Sequence, residues 1–209
     1  MRQRKIFGII LFLFTVMLIS GCSKKEEKKF SIGTWNDNVF ENTWLNMKLE
    51  INNDWSLATD DEISELMGVG TEYLNELKGT NNKALETAAK LKTIYGFLAY
   101  SPDATNSIQL MYENLAKTLG GTKYSEKEYL DVVKEQLPQE QFELVDESTI
   151  EIAGKTFYTM EFSVYDGALI QRYLSYKLDK YMVSLLITFT PDNKEEMDEF
   201  LNNITTLED

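Results

Sequence analysis

The chain has 209 residues, 34 of them acidic and 21 basic, for a formal charge of −13, and it contains no histidine. A balance this negative repels nucleic-acid backbones. Without histidine neither a Ser-His-Asp nor a Cys-His arrangement can be built, and a single cysteine, Cys22, leaves no internal disulfide.

Arg2, Arg4 and Lys5 precede an uncharged run of 14 residues, Ile6–Ile19. That is the length of a signal-peptide core and falls short of the about 20 apolar residues that span a bilayer. The run ends in Ile19-Ser20-Gly21-Cys22, which resembles the lipobox of bacterial lipoproteins. The resemblance implies cleavage between Gly21 and Cys22 and a diacylglyceryl thioether on Cys22, which suits stable attachment because one acyl chain alone binds only marginally. Residues 1–21 are therefore expected to be a signal peptide, 22–30 a lipidated tether and 31–209 a single domain. Removing residues 1–21 takes the formal charge to −16. The expected picture is an acidic body on the extracytoplasmic side of the cell membrane, held near the lipid but not flat on it. Only the tether lysines, Lys24, Lys25, Lys28 and Lys29, are expected to favour anionic head groups.

Beyond the tether, Trp35–Glu41 reads as a strand with turn-prone interruptions at Asn36, Asp37 and Asn38. Leu45, Met47, Leu49 and Ile51 alternate with polar neighbours and Trp44, the period of a half-buried strand, closed by Asn52-Asn53-Asp54 before Trp55. Thr59 and Glu62 form a capping box ahead of Ile63, Leu66, Met67, Tyr73, Leu74 and Leu77, a helix weakened or bent at Gly68 and Gly70 and stopped near Gly79. Asn82–Lys92 reads as another helix. Thr93–Tyr100 and Ser107–Leu115 read as strands. Ser125 and Glu128 form a second capping box for a helix ended by Pro138. From Phe142 the pattern becomes an antiparallel meander, with strands Thr149–Ile152, Thr156–Tyr165, Ala168–Leu178 and Tyr181–Thr190 joined at Ala153-Gly154-Lys155, Asp166-Gly167 and Asp179-Lys180. Arg172 interrupts an otherwise apolar face. Thr190 and Pro191 then open a last helix whose stripe is Met197, Phe200, Leu201 and Ile204.

This order predicts an α+β fold, a single antiparallel sheet of about six to seven strands covered by helices. The opening Trp35…Trp44-Leu45-Asn46-Met47-Lys48-Leu49-Glu50-Ile51…Asp54-Trp55 and the ending Gly154-Lys155-Thr156-Phe157-Tyr158 through Phe189-Thr190-Pro191 resemble the PsbP-like superfamily, which includes the Mog-type fold. Tyr112-Glu113-Asn114-Leu115 followed by Ser125–Leu137 is also similar to uncharacterised lipoproteins of Gram-positive bacteria. The resemblance implies an α/β/α sandwich, an accessory role toward larger partners and no enzyme activity.

No residue is assigned a catalytic, cofactor or metal role. Asp60-Asp61-Glu62 complements a helix N-terminus, and Glu195-Glu196 with Asp198-Glu199 reads as the solvated face of the last helix. Asp103, Thr105 and Asn106 offer oxygens, but no EF-hand spacing occurs. Ser125 and Lys127 sit at a helix cap rather than in a dyad, and Gly68-Val69-Gly70 and Gly120-Gly121 read as turns, lacking the strand–turn–helix setting of a phosphate loop. Tyr95, Tyr100, Tyr112, Tyr158, Tyr165, Tyr173, Tyr176 and Tyr181 fall on expected strands, either as sheet packing or as an exposed contact patch. The leading expectation is a non-enzymatic binding or accessory module for an envelope partner. The alternative is a carrier of a small apolar or lipid ligand held between the sheet and the Thr59–Lys92 helices.

Overall fold

The computed structural model describes residues 29–79 and 81–207. Gly21 and Cys22, on which the expected cleavage and lipid attachment fall, lie outside the described residues. Thr34–Asn36 (β1) and Val39–Asn42 (β2) pair around Asp37-Asn38, with Asp37 in the left-handed region at φ 53°. The turn-prone residues inside Trp35–Glu41 thus make a two-residue hairpin rather than interrupt one strand. Met47–Glu50 (β3) completes a small three-stranded sheet. Leu45, Met47, Leu49 and Ile51 are all buried, as their alternation requires.

After the short strand Ser56–Leu57 (β4), the helical stretch breaks in two: Asp60–Met67 (α1) and Thr71–Leu77 (α2). Gly68 takes φ 65°, a conformation that costs glycine nothing, and the N–H groups of Gly68 and Val69 close back on the carbonyls of Glu65 and Ser64. Leu66 and Tyr73, expected on the apolar face of one helix, are instead 49% and 38% exposed. Asn82–Lys90 (α3) follows. Thr59–Glu62 and Ser125–Glu128 both form reciprocal capping boxes, the second opening Glu126–Gln136 (α4). The backbone N–H of Thr59 and of Ser125 hold the Glu62 and Glu128 carboxyls below the ordinary carboxylate range.

The main sheet is antiparallel and seven-stranded, adding Thr93–Tyr100 (β5), Ser107–Asn114 (β6), Phe142–Ile152 (β7), Lys155–Val164 (β8), Leu169–Leu178 (β9) and Tyr181–Phe189 (β10) to β4. Its spatial order is β4-β5-β6-β10-β9-β8-β7. This is the α+β architecture the element order predicts, with the small sheet as a separate layer. The first meander strand is longer than the expected Thr149–Ile152 and begins at Phe142. Ala153 and Gly154 make its turn with φ 48° and 68°. Thr190 makes no side-chain cap; Pro191–Asn193 forms a 3-10 turn, and the last helix, Lys194–Asn202 (α5), starts after it.

One face of the main sheet, the inner face, carries the large core. Ile108, Leu110 and Tyr112 of β6 and Val183, Leu185, Ile187 and Phe189 of β10 meet Phe40 and Leu49 of the small sheet, Ile63, Leu74 and Leu77 of α1 and α2, and Met197 and Leu201 of α5. On the outer face, Leu130 of α4 packs on Met160, Phe162 and Val164 of β8.

Candidate interaction face

Strand register decides which side chains reach the outer face. Tyr95 pairs with Met111, Met111 with Ser184, and Leu186 with both Gln109 and Tyr173. These residues therefore share the face on which α4 lies. Helix α4 packs against β8 and β9. Its Tyr129 reaches across to β6 and donates to Glu113 Oε2 at 3.0 Å. Beyond that reach a strip of β5, β6 and β10 remains, bearing Tyr95, Gln109, Met111, Leu186 and Thr188, all half-buried. Met111 and Leu186 belong to neither of the two packed clusters. The strip is a mixed apolar and polar surface on a hydrogen-bonded sheet.

The strand tyrosines divide accordingly. Tyr112 and Tyr181 are buried, while Tyr165 is 57% exposed at a turn. Burial pushes the Tyr173 and Tyr181 hydroxyls up to about 12.

A concavity lies near the Thr59–Lys92 helices, where the carrier alternative expects its ligand. Ile32 of the N-terminal stretch, Trp35 of the small sheet, Ile63 of α1, Leu74 of α2 and Phe97 of β5 line a slot of about 340 Å³. Its floor is Gly96, at the bulge between Tyr95 and Phe97, where an added Cβ would stand 3.1 Å from the Tyr112 ring. Lys78 Nζ and the Asp60 carboxylate pair at 2.6 Å on its rim, both about half exposed.

The remaining candidates resolve into structural roles. Asp103 Oδ1 accepts from Ser101 Oγ, Thr105 N and Thr105 Oγ1, which organises its loop and holds its carboxyl below the usual range. Among the described residues no group of three or more acids could hold a metal ion. Ser125 Oγ serves Glu128 in the cap, and Lys127 pairs with Glu147 and Asp131. The face of the last helix is not wholly solvated. Asp198 accepts from Arg172 Nη1 at 2.7 Å, and Arg172, only 7% exposed, also grips Glu161. No partner for Arg172 is legible in its own strand, because Glu161 and Asp198 come from a neighbouring strand and a helix.

No family model matches the chain, and no curated protein matches it. Among solved structures it is similar to the cyanobacterial PsbP (CyanoP) of Synechocystis sp. PCC 6803, at 11% identity over 90% of this chain and 99% of that one, with a TM-score of 0.46. It is also similar to LpqN of Mycobacterium tuberculosis, a protein involved in cell envelope biogenesis, at 12% identity over 76% and 82% of the two chains, TM-score 0.37.

Proposed function

We propose that this protein is an extracytoplasmic lipoprotein anchored through Cys22 that works without catalysis, as a binding module for an envelope protein. The observation that supports it is the outer-face strip, where Met111 and Leu186 lie half-buried outside both cores. Apolar and aromatic side chains on a rigid sheet with a polar rim are the composition of protein contact surfaces. A photo-crosslinker replacing Met111 in the full chain in native membranes is expected to give one discrete adduct, lost in Leu186→Lys. The same chain carrying Cys22→Ala is expected to lose acyl labelling. If Met111 yields no adduct from intact membranes, the reading is wrong.

The slot favours a second reading, a carrier for a small apolar or lipid ligand. Its volume is at the lower end of the roughly 300–1,000 Å³ of ligand pockets. Ala58, which lines it, is the place to fill it. Ala58→Phe is expected to weaken uptake of a fluorescent fatty acid about tenfold, the equivalent of about 1.4 kcal/mol. Uptake undiminished by that change would remove the carrier reading.

A further inference from the structure

We propose that the end of the main sheet from which the N-terminal segment leaves is a membrane-facing surface, with Leu119 entering the head-group region of an anionic bilayer and the surrounding lysines lying against it. This rests on the lipid-anchor reading above.

Phe30 fixes where the chain leaves. Its ring stacks on Tyr181 at 4.7 Å and meets Trp44 and Tyr112 at 4.9 and 5.5 Å. Tyr181 is the first residue of β10 and pairs with Asn114 and Leu178, so β6 and β9 end where β10 begins. Thr93 pairs with Glu113, and Ile152 with Lys155, which brings the start of β5 and the β7–β8 turn to the same end. Seven residues lie between Cys22 and Phe30, so eight steps of extended chain span at most about 29 Å. This end of the sheet cannot be far from the lipid.

The charges are sorted by end. Lys92, Lys117, Lys123, Lys155, Lys177 and Lys180 lie at the tether end, against Glu113, Glu126, Glu128, Glu151 and Asp179. Four of those acids already have partners: Glu113 accepts from Tyr129 and pairs with Lys92, Glu126 accepts from the Lys177 backbone N–H, Glu128 from Ser125 and Glu151 from Thr156. The turns at the opposite end carry Asp54, Asp103, Asp166 and Asp192. The nine residues of β10 set the two ends about 30 Å apart. That is several Debye lengths at physiological salt, about 8 Å each, so the bilayer is screened from the acidic end.

At the tether end one apolar side chain projects. Leu119 is 101% exposed, the highest value among the large hydrophobics. It sits on a turn built to hold it outward. Gly121 N donates to Thr118 O at 2.9 Å, and Gly120 takes the left-handed φ 74°, ψ −3° that a type II turn needs at that position. A side chain at Gly121 would come within 2.7 Å of the Leu115 carbonyl oxygen. Lys177 Nζ ties the next segment to β9 through the carbonyls of Thr122 and Tyr124, and Leu115 N bonds Lys180 O at 2.8 Å. A rigidly presented leucine between Lys117 and Lys123 has the amphipathic pairing of an interfacial anchor.

The test uses the full chain with Leu119→Cys carrying an environment-sensitive fluorophore, Cys22 being acylated, in vesicles of phosphatidylcholine with about a third phosphatidylglycerol. Emission is expected to rise several-fold and shift to the blue, while the same label at Thr105→Cys stays unchanged. Lys117→Gln with Lys123→Gln is expected to lower the docked-to-undocked ratio about 25-fold at low salt, at roughly fivefold per lysine. If the chain floats with the vesicles and the label at 119 does not respond, the docking surface is refuted. A chain that does not float and keeps a reactive Cys22 refutes the anchor instead. Docking is then judged on the Cys22→Ser, Leu119→Cys chain with added vesicles, where an unchanged emission again refutes it.

Discussion

Replacing Arg172 with alanine is expected to lower the unfolding free energy by about 3–5 kcal/mol, the cost of leaving a buried carboxylate without its partner. Arg172 Nε and Nη2 meet Glu161 Oε2 at 2.8 and 2.6 Å, and the side chains of the pair are only 8% and 11% exposed. The guanidinium also lies 5.4 Å from the centre of the Phe189 ring. Lys194 reaches Glu161 at 3.0 Å but is 45% exposed, and Asp198 is 46% exposed. Lys194, half in water, compensates only in part, and Asp198, itself a carboxylate, loses its own partner with Arg172. The double substitution Arg172→Met, Glu161→Leu removes both buried charges and is expected to restore most of the loss, since a well-packed apolar pair often matches a buried ion pair. Urea unfolding separates the cases: the single variant should lower the midpoint at unchanged slope. A single-variant cost under about 1 kcal/mol would mean that the pair behaves like a surface ion pair.

The second large effect is expected at Asn42, which is fully buried. Its Nδ2 donates to Ser31 O at 2.9 Å and to Tyr112 Oη at 2.8 Å, and its Oδ1 accepts from Leu45 N at 2.8 Å. Tyr112 Oη in turn donates to Ile32 O at 3.0 Å. Four segments converge on this amide: the N-terminal stretch, β2, the turn before β3, and β6 of the main sheet. Asn42→Ala strands two of its partners, the Leu45 N–H and the Ser31 carbonyl, in the core. At about 1–3 kcal/mol for each unsatisfied buried group, a loss of about 3 kcal/mol or more is expected. Tyr112→Phe should cost less, and the double variant less than the sum, because both remove one shared bond. Thermal unfolding of the three variants measures this; strict additivity would show that the two groups do not act together.

Local chemistry made much of the fold legible. Thr59–Glu62 and Ser125–Glu128 start helices because each cap satisfies N–H groups within four residues of itself. Ala153-Gly154 and Asp179-Lys180 turn the chain where the strand alternation stops, with Ala153, Gly154 and Asp179 at positive φ. What stayed hidden depends on distance along the chain. Arg172 looked like a flaw in an apolar face because its partners stand 11 and 26 positions away. Asp198 looked solvated because helix periodicity does not show what lies under the helix. Asn42 gave no signal, since its worth lies in Tyr112, 70 residues on. The sum of charges hid the most: a formal −16 treats as uniform a body with six lysines gathered at the tether end and Asp54, Asp103, Asp166 and Asp192 at the turns of the other.

The position of β10 bears on how the chain comes together. It is the last strand made, yet it lies between β6 and β9 in the middle of the sheet. Until residue 189 is available, β5–β6 and β7–β8–β9 are two half-sheets, each with a long open edge and an unfilled apolar face. Antiparallel edges of that kind pair readily with other chains. A protein made and moved from its N-terminus would thus remain vulnerable through about nine-tenths of its length, then close both edges with one strand.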